Sequence, residues 1–284
     1  MIGFTIRNLK VFFKDRSAVF FSLLAVFIII GLYALFLGDV WTESFASFPQ
    51  ARFLMDSWIM AGIMAISSFT TTMGAFGIMI EDKTKKIDKD FIVSPIKTNK
   101  IVGGYVISAV IIGIIMSLVT LVFAEIYIVA NGGELLTFSI FLKVFGLIIL
   151  TTFANSSIVL FIVSFFNSMN AFSTASTIIG TIIGFLTGIY LPIGNLPVAI
   201  QWVVKVFPVS HGAALFRQVM MEVPLAITFN AAPMEYITEF KEFMGVTFSY
   251  NSQVLSSLSS IIILLVTGLV FYALSVLNLS RKRK

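Results

Sequence analysis

Six stretches of the chain read as nearly unbroken runs of apolar residues, at about 18–38, 57–80, 101–130, 144–166, 171–191 and 255–277. Each is as long as the roughly 20 residues that a helix needs to cross a hydrocarbon core about 30 Å thick. None alternates every second residue as a barrel strand does, so the runs predict an all-α membrane protein with six transmembrane helices. The first run exceeds the roughly 7–15 residues of a signal-peptide core and has no small-residue cleavage site after it, which makes it a span.

Between the runs the pattern changes character. Residues 1–17, MIGFTIRNLKVFFKDRS, set Phe4, Leu9, Phe12 and Phe13 against Arg7, Lys10, Lys14 and Arg16. That is an amphipathic helix lying in the membrane interface, and a plain anchor for the first span would need no more. Residues 81–100, EDKTKKIDKDFIVSPIKTNK, hold ten charged residues of the thirty-three in the chain. Within them Ile87, Phe91 and Ile92 fall on one side of a short helix, with Lys85, Lys86, Lys89 and Asp90 around the others. Pro95 ends that helix, and Ser94 is placed to cap the next one, with Pro95 in its first turn. A solvated loop accounts for the charges but not for the apolar cluster, which suits a protein partner.

The segment 192–254 is different again. Pro197 and Phe207-Pro208 break it into two apolar runs of about ten residues, too short to cross a bilayer, which predicts re-entrant or interfacial helices. Ser210 is placed to cap the second, and Trp202 suits an interface. His211 and Arg217 lie six positions apart, so they bond different neighbours. With Pro197 and Pro208 they form the candidate external gate.

Composition agrees with the pattern. Apolar residues make up 58% and charged residues 12%, far from the soluble norm of about 25% charged, and mean hydropathy is +1.01. If the N-terminus is cytoplasmic, the inner segments carry 14 Lys and Arg against 5 in the outer ones. The positive-inside rule then sets both termini in the cytoplasm, with the basic tail at 281–284 touching anionic lipid and no nucleic acid as partner.

The candidate chemistry is mostly exclusion. There is no Cys and one His, so no metal site and no catalytic cluster is expected, and the chain reads as no enzyme. It lacks the G-x-x-x-x-G-K-[ST] loop that cradles phosphates, so ATP hydrolysis by that route belongs to another chain. Glu125, the one ionisable group read as lying within a span, sits near its outer end, where it reaches water more readily than it relays protons. Spans four and five carry Thr151, Thr152, Asn155, Ser156 and Ser157, then Asn167, Asn170, Ser173, Thr174, Ser176 and Thr177. Helix packing explains such hydroxyls, and Asn155, Asn170, Ser173 and Thr177 are also candidates for a pathway. Gly180, Gly184 and Gly188, one every four residues, predict a face that another helix approaches closely, within the bundle or across a dimer. The thirty Phe and twelve Met suit lipid contact and a deformable apolar pathway.

An interfacial N-terminal helix, six spans, a charged loop ending in VSPIK after the second, and FPVSHGAALFR before the sixth together resemble the permease subunits of type-2 ABC exporters. The last element matches the family pattern Pro-(Leu/Val)-(Ser/Thr)-His-x-x-x-x-x-Arg, and the resemblance covers nearly the whole chain. It implies that the loop at 81–100 is a coupling helix docking on a separate ATP-binding subunit through Ile87, Lys89, Asp90, Phe91, Ile92, Ser94 and Pro95. It also implies a second permease copy, ATP and Mg held by the partner subunit, no cofactor on this chain, and a place in a bacterial cell membrane. The function expected is ATP-driven export of an amphipathic or apolar molecule such as a drug, antibiotic, peptide or lipid. The rival is an ion-coupled carrier or channel, which needs a buried ionisable relay and no ATPase.

Overall fold

The structure, a computed structural model, describes residues 1–46, 48–94, 96, 98–230, 232–250 and 253–281. Helix α1 (Ile2–Lys14) leads through Asp15 into α2 (Arg16–Leu32). The Asp15 carboxylate accepts from the Ala18 backbone at 3.0 Å, a cap that separates the two helices. A π-turn at Tyr33–Leu37 and short α3 (Gly38–Ser44) follow, then α4 (Ala51–Thr84), α5 (Ile87–Val93), α6 (Thr98–Ala130), α7 (Phe138–Val163) and α8 (Met169–Leu186). After a 3₁₀ turn at Ile193–Asn195 come α9 (Val198–Val206), α10 (Pro208–Met220), α11 (Glu222–Thr228) and α12 (Met234–Phe243). A two-stranded ribbon, β1 (Ser249–Tyr250) antiparallel to β2 (Gln253–Val254), precedes α13 (Ser257–Arg281). Among the described residues six helices are long and apolar enough to cross a membrane: α2 with its π-turn, α4, α6, α7, α8 and α13.

Helix α4 is the axis of the bundle. It packs against α2, α6, α7, α8 and α10, and its side chains are buried along nearly its whole length. Small residues and hydroxyls permit this. A Cβ on Gly113 of α6 would come within 2.6 Å of Thr152 on α7 and 2.8 Å of Thr72 on α4, so three helices meet at that point. Ser67 bonds Thr120 at 2.7 Å, and the Asn155 amide donates to Ser68 at 3.0 Å. Asn155 therefore joins α7 to α4 within the protomer. Thr151, Ser156 and Ser157 bond carbonyls of their own helix, the ordinary fate of a hydroxyl without water.

Helix α4 has 34 residues and is about 50 Å long. It outruns the expected span 57–80 at both ends, and so brings Asp56 and Asp82 into the helix. At one end of the bundle α1 packs on α6 and α4, α5 packs on α4, and the ends of α4, α7 and α13 are tied together. There Lys83 donates to the Phe166 carbonyl at 3.2 Å, and Asn278 to Ser164 at 2.6 Å. At the other end Arg52 holds Asp39 (2.7 Å), Asp56 (3.1 Å), the Tyr127 hydroxyl (3.0 Å) and Asn131 (3.1 Å), tying α3, α4 and α6 together. Glu125, half-buried, accepts from the Leu136 backbone at 2.9 Å and so secures the α6–α7 connection.

Candidate functional site

The charged loop folds as a sharp reversal followed by a short helix. Lys86 takes a left-handed conformation, φ +61°, which turns the chain out of α4 and straight into α5. Ser94 does not cap α6. Its hydroxyl donates back to the Phe91 carbonyl at 2.8 Å, closing α5, because α6 begins only at Thr98. Pro95 and the Ile92 side chain lie outside the described residues.

A polar knot fastens this helix to the rest of the protein. Asp82, 2% exposed, accepts two bonds from Arg7 of α1, at 2.6 and 2.7 Å, and one from the Tyr105 hydroxyl of α6 at 2.7 Å. The hydrogen bond to Asp82 pushes the Arg7 guanidinium above its ordinary pKa. Next to Arg7, Asn8 donates to Ser108 at 3.2 Å. The guanidinium also lies 5.6 Å from the centre of the Phe91 ring, and Phe4 meets Phe91 and Tyr105 edge-on, both at 4.9 Å.

Phe91 thus packs against the chain's own N-terminal helix, contrary to the expected outward cluster of Ile87 and Phe91, both of which are half-buried. What α5 turns outward is Lys89, Asp90 and above all Val93, 84% exposed. The left-handed turn at Lys86 brings α5 back beside α4, and Phe91 then lies against Phe4 and Arg7 of α1.

Helix α8 presents a second feature. Asn170, Ser173, Thr174, Thr177 and Thr181 are all exposed and lie within an arc of about 100° on a helix mostly free of the bundle. The glycine stripe does not hold as one face. Gly180 has open space around it, whereas a Cβ on Gly184 would come within 2.4 Å of the Tyr190 ring of the same chain. Gly188 lies beyond the helix, at φ +64°, with its N–H on Phe185 and that of Ile189 on Gly184. This is a Schellman ending, which a glycine in the left-handed region supplies without Cβ strain.

The third feature is the broken segment. Helices α9 and α10 meet at 85°, with Pro197 and Pro208 opening each of them. Proline suits a first turn, where no intrahelical partner awaits its missing N–H. Ser210 is no cap. It reaches 2.7 Å to the Leu186 carbonyl at the end of α8. Helix α10 is buried from Val209 to Arg217. His211 lies 2.9 Å from the Lys205 carbonyl through Nε2 and 3.1 Å from the Ser260 hydroxyl through Nδ1. A carbonyl can only accept, so Nε2 carries the proton and Nδ1 accepts from Ser260.

Arg217, fully buried, has no carboxylate partner among the described residues. It donates to the Gly188 carbonyl at 3.0 Å and that of Gly245 at 3.4 Å, with Trp58 of α4 beneath it at 4.6 Å. Gly245, φ +65°, closes α12 as Gly188 closes α8, and Trp58 donates to the adjacent Met244 carbonyl at 2.8 Å. Sequence reading missed Asp82, Tyr105, Trp58 and Gly245. Asp82 looked like part of a solvated loop, and nothing local marks the carbonyls of the two glycines as acceptors for one arginine.

A search of curated proteins found no match. The family model for ABC-2 type transporters matches residues 3–221, from α1 through α10 and the Arg217 junction, and the chain belongs to that family.

Proposed function

We propose that this permease works as a pair of copies with two ATP-binding subunits in trans, exporting an amphipathic or apolar molecule such as a drug, antibiotic, peptide or lipid. The observation that carries the reading is the polar stripe of α8. Thr177 and Thr181 bond carbonyls of their own helix, but Asn170, Ser173 and Thr174 on the same free face are poorly placed against lipid and well placed along a pathway or against a second copy. Asn170, Ser173 and Thr177 line that pathway, while Asn155 stays inside the protomer.

In this reading the α5 end is cytoplasmic, together with both termini. Val93, Lys89 and Asp90 meet the ATP-binding subunit, which holds the ATP and its Mg. Closure of the ATP-binding pair pushes α5, and the Arg7–Asp82–Tyr105 knot passes the displacement to α1, α4 and α6 as one body. At the opposite end α9 and α10 form the outer gate, pinned to α8 by Ser210 and Arg217.

The test uses the Cys-free chain. Thr177→Cys should become protected from thiol reagents by substrate and should cross-link two copies through a short bifunctional maleimide. Modification of Thr177→Cys by a lipid-confined thiol reagent, unaffected by substrate and with no cross-link, would place the stripe in the bilayer and end the pathway reading.

A further inference from the structure

We infer that α1 carries a binding site for the headgroup of an anionic phospholipid, built on Lys10 and Lys14 and bordered by Arg7. The inference needs the chain only to be a membrane protein and does not depend on what it exports.

Around α1 the residues sort into three bands. Thr5, Asn8 and Phe12 are buried against the bundle, with Thr5 and Asn8 directed at α6. Ile2, Ile6 and Phe13 are exposed and fall within an arc of about 40°, an apolar strip with nothing of this chain over it. Next to that strip, Gly3, Ile6, Arg7, Lys10, Val11 and Lys14 line a groove of about 330 Å³. Its floor is small and apolar: a Cβ on Gly3 would meet nothing within 4 Å. Lys10 and Lys14 are exposed, one turn apart, and have no ion-pair partner among the described residues. An apolar strip beside a basic groove fits a molecule with an apolar body and an anionic head, and in a membrane protein that molecule is a phospholipid.

Arg7 gives the site a consequence. Its two terminal nitrogens are held by Asp82, while its plane covers Phe91 of α5. A phosphate on Lys10 and Lys14 lies at the edge of that guanidinium and competes with Asp82 for it. Lipid occupancy therefore bears on the knot that fixes α5, so the charge of the adjoining leaflet affects how α5 is held.

The experiment reconstitutes the full chain in phosphatidylcholine vesicles containing spin-labelled phosphatidylglycerol or spin-labelled phosphatidylcholine and measures the motionally restricted fraction of each. The wild-type chain should prefer phosphatidylglycerol, and Lys10→Gln with Lys14→Gln should lower that preference by about fivefold for each lysine removed. Lys10→Arg with Lys14→Arg should retain it. Soluble glycerol phosphate at the same concentration should not displace the lipid. Equal association of the two lipids with the wild-type chain, or an unchanged preference in the double Gln variant, overturns the site. Full displacement by glycerol phosphate overturns the lipid and leaves a free-phosphate site.

Discussion

The Arg217 guanidinium and the Gly188 carbonyl meet at 3.0 Å, joining the last turn of the buried helix α10 to the closing turn of α8. The same side chain reaches Gly245 at the closing turn of α12. A helix C-terminus carries roughly half a negative charge, so two of them balance about one arginine. The cation is thus stabilised without a carboxylate, and only while both helix ends stay in place. Moving α8 away uncovers a buried charge, which favours the arrangement in which α8, α10 and α12 stay together.

Removing that charge should act on folding and gating before it acts on selectivity. Arg217→Ala leaves two carbonyls unpaired and a void under Trp58, at a cost of about 2–4 kcal/mol. Thermal unfolding in detergent should show a lowered midpoint, with Arg217→Lys intermediate. Normal stability with a changed range of exported compounds would make this segment a substrate site.

The Arg7–Asp82 pair should behave as one unit. Removing Arg7 strands the buried Asp82 charge at a cost of about 3–5 kcal/mol, whereas removing Asp82 leaves a partly exposed Arg7 that water reaches, and costs less. In a double-mutant cycle, Arg7→Ala with Asp82→Ala should cost clearly less than the two single changes added. Simple additivity would mean that the two groups are independent and that α1 is not tied to α4 through them.

Val93 and Phe91 should separate docking from packing. Val93→Asp places a charge on an exposed position, so stability should hold while ATPase co-purification and export are lost. Phe91→Asp introduces a charge beside Phe4, and the thermal midpoint should fall. Undiminished co-purification by Val93→Asp would remove the outward face of α5 from the docking surface.

The three glycines should part company. Gly184→Ala drives a Cβ into Tyr190, and Gly188→Ala strains a left-handed residue by about 1 kcal/mol, so both should lower the stability of the protomer. A Cβ at Gly180 meets nothing within 4 Å, so Gly180→Ile should leave the thermal midpoint of the protomer nearly unchanged. Loss of dimer on cross-linking gels by that variant alone would set Gly180 against a second copy. An unaltered dimer would set it against lipid.

Periodicity, length and charge bias in the sequence determined the six spans, the interfacial helix, the short helix after the second span and the break at Phe207-Pro208. These are properties of one helix in one solvent, set by the 1.5 Å rise, the thickness of hydrocarbon and the limits proline places on the backbone. The separate partners of His211 and Arg217 followed as well, since six positions rarely share a face. Which side of each helix meets which neighbour was not legible. Phe91 reads as a docking residue until Lys86 turns α5 back beside α4 and Phe91 meets α1, and Gly188 reads as a packing residue until α8 ends two residues before it. Asp82 reads as loop until α4 runs on to Thr84, where Arg7 and Tyr105, distant in sequence, close around it. Only the tertiary structure decided these, because a buried charge chooses its partners among groups that folding brings together, and no local pattern records them.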